Sequence, residues 1–182
     1  MVAAARERFA TQGFVATTVP QIAKRAGVAV PTVYWAFGSK RALVKAIRDA
    51  WLAEARTGER LARVLAIDEA SARMDAAAAF MANQWLTGAD VVAIQLDAMR
   101  SDAAIAADVR GVLAERALRL RAIVEPLEGL FRAGVTMSQA GDIFLALTAF
   151  EVYRDLIGRG WTTDAYTQWL ARTLRESLLA RP

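Results

Sequence analysis

Residues 17–43 read TTVPQIAKRAGVAVPTVYWAFGSKRAL, and this stretch decides the fold. Thr18 suits an N-cap, because its hydroxyl can accept from an orphan amide of a first helical turn. Pro20 falls inside that turn, where a missing N–H costs nothing. Val19, Ile22, Ala23 and Ala26 then follow helical apolar spacing. Gly27 ends the helix, since glycine reaches left-handed backbone angles without steric cost. A second short helix is expected through Val30–Phe37, closed by Gly38, with Ser39 capping a third. Two short helices about a glycine turn are the pattern of a helix-turn-helix, whose second helix enters the DNA major groove.

The charge distribution agrees with such a head. Residues 1–48 hold Arg6, Arg8, Lys24, Arg25, Lys40, Arg41, Lys45 and Arg48 against Glu7 alone, a surplus of seven positive charges, while the whole chain carries +4. No lysine follows Lys45. A cationic end on a mildly acidic body suits a DNA-reading head on a regulatory body. The expected domains are therefore 1–48, the helix-turn-helix, and 49–182, a helical body.

The run AGVAVPTVYWAFGSKRAL resembles the tetracycline-repressor (TetR) family, and PTVYW followed five residues later by Lys40 is similar to the repressor that names it. FATQGF, TTVPQIAKRAGV, TVYWAF and SKRAL agree independently, so the resemblance runs from Ala5 to about Ile47. It implies an all-α fold, with an N-terminal three-helix DNA-binding domain and a C-terminal helical domain for ligand binding and dimerisation. It also implies that the exposed side of the second short helix touches an operator. The implied DNA-contacting set is Thr18, Gln21, Lys24, Val30, Pro31, Thr32, Tyr34, Trp35 and Lys40. Threonine offers a hydroxyl and a methyl to base edges. The Tyr34 hydroxyl suits a phosphate, and Trp35 can lie on sugar or thymine methyl groups. Tyr34 also reads as core packing against the first helix. Lys40 could place its ammonium on the DNA backbone near its helix N-terminus. Val30 and Ala36 depart from the family pattern, standing where the naming repressor has polar base-reading side chains. Specificity then falls to Gln21, Lys24 or DNA shape. Related proteins carry a basic arm before the first helix; here the sequence starts almost at that helix, so no minor-groove arm is in the expected set.

The first helix is expected over about Val2–Gln12, with Ala5, Phe9 and Phe14 inward and Gly13 closing it. The helix from Ser39 to about Arg56 shows a stripe of Leu43, Val44, Ile47, Trp51 and Leu52 and would link head to body. Beyond it the sequence stays helical, with breaks expected near Gly58, Asp68, Thr87–Gly88, Ser101–Asp102, Gly134–Ser138 and Gly158–Thr163. Pro126 should kink or break the pattern Ala104–Ala133. Ser138 is expected to cap a helix to about Ile157, and Thr163 one to about Leu179. Ile143, Leu147, Phe150 and Arg154 on the former, with Trp169, Leu170, Thr173 and Leu174 on the latter, form stripes suited to a symmetric four-helix homodimer interface. A dimer also matches a palindromic operator. In the middle of the body, Trp51, Phe80, Trp85, Met99, Leu127 and Phe131 could line an apolar ligand cavity, with Gln84 and Gln95 as polar handles. Each of these also reads as ordinary core.

The 182 residues contain neither cysteine nor histidine. This removes thiol chemistry and the commonest general base and metal ligand. No nucleophile–base pair can be assembled, and Asp97 and Glu125 lack metal-loop spacing. No enzyme activity, catalytic residue, metal or cofactor is expected. No apolar run reaches the ~20 residues that span a bilayer, so no membrane partner is expected and the location reads as cytoplasmic. The expected function is a ligand-responsive transcriptional regulator, a repressor released from double-stranded DNA by a small, mainly hydrophobic effector. The alternative is an all-helical small-molecule binding protein with a degenerate DNA head.

Overall fold

Caps and glycines punctuate the chain much as the opening stretch suggests. The computed structural model describes residues 1–180. Its helices are α1 (Val2–Gln12), α2 (Val19–Ala26), α3 (Val30–Phe37), α4 (Lys40–Glu54), α5 (Thr57–Leu65), α6 (Ala70–Ser101), α7 (Ala103–Arg121), α8 (Met137–Leu147), α9 (Phe150–Gly158) and α10 (Thr163–Leu178), with one 3-10 turn, Glu125–Leu127. The all-α class stands. Two compact units emerge, one from Met1–Ala55 with Gly88–Val112, the other from Arg56–Thr87 with Leu113–Pro182. Both α6 and α7 begin in one unit and end in the other.

In the first unit, Thr18 caps α2 through a full capping box. Its hydroxyl accepts from the Gln21 amide while the Gln21 carboxamide accepts from the Thr18 amide. Gly27 ends α2 in the left-handed region at φ 68°, and Ser39 caps α4 by accepting from the Ala42 amide. Phe9, Ile22, Val33, Leu43 and Ile47 close one core with Val91, Ile94, Ile105 and Val109 of α6 and α7. Each such fully buried side chain contributes about 1.5–3 kcal/mol.

Several boundaries differ from expectation. The break at Thr87–Gly88 does not occur, for α6 runs unbroken through both residues. Gly88 serves close packing instead: a Cβ there would overlap the Trp51 indole. After α4 the chain turns at Arg56, whose φ of 49° is left-handed, and Gly58 lies inside α5. The break expected at Pro126 does occur: the pattern Ala104–Ala133 ends as helix at Arg121, and Pro126 sits in the 3-10 turn. The cap before α8 is Thr136, not Ser138, because Gln139 stands three residues after Thr136 and completes a second capping box. The expected helix to Ile157 is two helices. The Thr148 hydroxyl bonds back to the Phe144 carbonyl, and the chain restarts at Phe150. Thr162, not Thr163, caps α10, accepting from the Ala165 amide at 3.1 Å.

The second unit packs Met74, Met81, Trp85, Ile123, Leu127, Phe144, Tyr166, Leu170, Leu174 and Leu178 into its own core. Its C-terminal strand-like end is tied by an antiparallel bridge between Phe131 and Leu179.

Candidate nucleic-acid interface

The short helix α3 buries one residue, Val33, and half-buries Val30 and Phe37 against the first unit's core. What it leaves outward is Pro31, Thr32, Tyr34, Trp35 and Ala36. Trp35 is 89% exposed and Tyr34 49%. Tyr34 is thus outside rather than packed on α1. Its neighbours Thr18 and Lys24 are exposed and Gln21 is half-buried. Thr18 and Gln21 spend their side chains on the cap, which fixes the N-terminus of α2.

Lys40 departs from its expected role. Its ammonium is folded inward, donating to the carbonyls of Phe14 at 2.6 Å and Thr17 at 2.8 Å, and it lies 4.2 Å from the Phe14 ring centre. Burial lowers its pKa from the ordinary lysine value. The reason is geometric: the carbonyls of Phe14 and Thr17, in the turn between α1 and α2, converge on the Lys40 ammonium. The lysine therefore fastens α4 to that turn.

Charge in the head is also spent differently from the sequence count. Arg6 donates to both Asp90 oxygens at 2.6 Å, Arg25 pairs with Glu7, Arg41 with Asp102, and Lys45 with Asp49. The buried Arg48 reaches Asp108 at 2.8 Å. Asp97 accepts from the Phe14 amide at 2.7 Å. The acids at 90, 97, 102 and 108 lie far along the chain, yet belong to the same unit as the cations they meet. Lys24 makes no ion pair among the described residues and faces solvent beside α3.

The eight residues expected to line a ligand cavity divide between the units. Trp51, Gln95 and Met99 belong to the first, and Trp51 is core against Gly88. Phe80, Gln84, Trp85, Leu127 and Phe131 belong to the second. There, Gln84 exchanges hydrogen bonds with Thr57, Leu127 is core, and Phe131 is held in the bridge to Leu179. Trp85 donates its indole N–H to the Thr148 carbonyl at 3.1 Å and tilts against Phe150 with centroids 5.5 Å apart.

The dimer stripes need a similar correction. Leu170 and Leu174 are fully buried within the chain, and Phe150 is packed on Trp85, so none is left for a second copy. Arg154 lies on α9, beyond the break at Thr148, and pairs with Asp155. Ile143, Leu147, Trp169 and Thr173 stay partly exposed. Ile143 and Leu147 border an open groove of about 430 Å³ with Val135, Ala146, Ser177 and Arg132. Among the described residues no helix is long and apolar enough to cross a membrane.

Comparison with known proteins places this geometry. Residues 1–47 match the model of the bacterial regulatory proteins of the tetR family. The matched stretch takes in α1, α2, α3 and the first half of α4. The fold as a whole is similar to that of FadR from Bacillus subtilis in complex with stearoyl-CoA, with TM-score 0.76, 18% identity and 95% of each chain covered. It is also similar to a transcriptional regulator from Saccharomonospora viridis in complex with choline, with TM-score 0.76 and 16% identity over 99% of this chain and 96% of that one. The ketosteroid regulator KstR2 of Mycobacterium tuberculosis gives TM-score 0.72 at 18% identity, over 99% and 93%. No curated protein sequence matches the chain.

Proposed function

We propose that this protein is a transcriptional regulator that reads a palindromic operator as a homodimer, represses from it, and is released by a small, largely apolar effector bound in its helical body. The observation that carries the DNA half is the outward face of α3, where Pro31, Thr32, Tyr34 and Trp35 stand free beside Lys24. Base reading there rests on one threonine hydroxyl, one phenol and apolar contact, which favours thymine methyl groups and DNA shape over guanine readout by arginine. The dimer half is supported by the apolar groove at Ile143 and Leu147, of a kind that a second α8–α10 pair would cover. Two heads one helical turn apart, ~34 Å, would then meet successive major grooves. The effector acts by binding more tightly to the arrangement that does not fit DNA. Helix α6 is suited to transmit this, since its first part lies in the second unit while Asp90 and Asp97 hold Arg6 and Phe14 in the first.

A second reading has one observation in its favour. Most head cations are already paired within the first unit, and Lys40 is turned inward, as a helical small-molecule binder with a degenerate head would have them. Exposed pairs of this kind contribute little, however, and can exchange for phosphates. A randomised duplex library at two salt concentrations separates the readings. Enrichment of a palindrome whose affinity falls with salt supports the regulator. No enrichment from a folded dimer supports the degenerate head. Trp35→Ala should cut affinity for the selected site by about tenfold and leave thermal stability within about 0.5 kcal/mol. Undiminished affinity removes Trp35 from the interface.

A further inference from the structure

The second unit holds two inward-facing arginines with opposite fates. The Arg73 guanidinium donates to the carbonyls of Ile67, Leu65 and Ile123, so every direction it points is answered. Arg116, on α7, lies with its guanidinium carbon 4.9 Å from the centre of the Trp85 ring, and its terminal Nη2 is buried without a hydrogen-bond partner. The fully buried Tyr166 hydroxyl likewise donates to no acceptor, although the Trp85 indole N–H faces its oxygen. The two groups act on each other electrostatically, and Glu151, itself exposed, is the carboxylate whose field favours the Arg116 charge. Around them stand aromatic rings. Tyr153 meets Tyr166 edge-on with centroids 5.0 Å apart, and Phe150 tilts on Trp85.

A buried guanidinium nitrogen without an acceptor is costly, and natural cores leave few such donors unmet. The same burial lowers the arginine pKa and raises that of the tyrosine. The donors that lack acceptors are one guanidinium nitrogen, Arg116 Nη2, and one phenol, set among aromatic faces. A carboxylate matches the guanidinium fork in plane and spacing and can accept from the phenol as well.

We propose that Arg116 and Tyr166 form the polar end of the effector site, and that the effector is an organic anion, a carboxylate on an apolar body packed among Trp85, Phe150 and Tyr153. The proposal rests on the ligand-responsive reading above and narrows it from a mainly hydrophobic compound to an acidic one. Trp85 was expected to line the site; Arg116 and Tyr166 were not, because a lone arginine and tyrosine 50 residues apart carry no pattern in sequence.

The test uses the full chain and two matched pairs of probes, naphthoate with naphthylmethanol and decanoate with decanol, followed by thermal shift and by quenching of tryptophan fluorescence. In at least one pair the carboxylate should bind the wild type about tenfold or more tightly than its alcohol, and Arg116→Met should erase that preference while the alcohol binds as before. A carboxylate that binds no better than its alcohol in both pairs, or a preference that survives Arg116→Met, overturns the assignment. Arg116→Lys covers the case in which the methionine variant does not fold. It keeps the charge but loses the fork, and should weaken the carboxylate about tenfold; unchanged affinity also overturns the proposal. Operator selection is an independent reading. Palindrome enrichment without carboxylate preference leaves the regulator and removes the anion site, and the reverse result removes the regulator and leaves the site.

Discussion

The two units treat their inward-facing cations in different ways. In the first, Arg48 ends on Asp108, Lys40 on the carbonyls of Phe14 and Thr17, and the acids at 90, 97 and 102 meet Arg6, the Phe14 amide and Arg41. Of its buried polar side-chain atoms, only Arg8 Nε is left without a partner among the described residues. In the second unit three such atoms are left without a partner, Asn83 Nδ2, Arg116 Nη2 and the Tyr166 hydroxyl, the last two beside aromatic rings. A DNA-reading head has to hold α3 in one pose, and matched pairs do that. A site built for a ligand carries unmet hydrogen bonds until the ligand arrives, at a cost in stability.

The largest expected effect tests how tightly the first unit is built. Gly88→Ala should cost about 1–3 kcal/mol, because the added methyl collides with the Trp51 indole and forces a helix or a ring to shift. Chemical denaturation measures it. An unchanged midpoint would show that the indole swings aside freely, and that the unit is looser than its packing indicates.

A pair of substitutions should move stability in opposite directions. Asp97→Ala removes the acceptor of the Phe14 amide and should destabilise by about 1–3 kcal/mol. Arg116→Met replaces a poorly served charge with an apolar chain of similar reach and should raise the melting temperature of the ligand-free protein. Both losing stability would erase the contrast between the units, since Arg116 would then be held in place by Trp85 for structural reasons.

The smallest effect concerns acid. Hydrogen bonds from Arg6 hold the Asp90 carboxyl below the usual carboxylate range, against the opposing pull of burial. The native state therefore binds this proton less readily than the unfolded chain. The pair's contribution is complete above about pH 4 and is lost as pH falls through the depressed value. Because both partners are partly exposed, it should stay under about 1 kcal/mol. Asp90→Asn should lower neutral-pH stability slightly and make the acid limb of a stability–pH profile shallower. An acid limb identical to that of the wild type would place the pH sensitivity elsewhere.

What was readable in the sequence was local. Thr18 and Gln21, Ser39 and Ala42, and Gly27 after Ala26 lie within one helical turn of each other, so residue type and spacing alone settle the caps and the helix-turn-helix. The outward side of α3 followed from the same short-range pattern, which is why Tyr34 and Trp35 were expected at the surface. Features that depend on partners far along the chain were misread. Gly88 looked like a break because its reason, the Trp51 indole, lies 37 residues earlier. Leu170 and Leu174 looked like interface because a helical stripe marks an apolar face without naming what covers it. Lys40 looked like a phosphate ligand because the carbonyls that claim it belong to the turn after α1. Charge showed the same limit: the surplus in residues 1–48 is real, but the aspartates that answer it arrive only when α6 and α7 fold against those helices. Sequence determined where helices start and stop and which one faces outward, because caps and periodicity act over three or four residues. Tertiary structure decided which polar groups are answered and which, at Arg116 and Tyr166, are not, because that depends on contacts the chain makes only once it has folded.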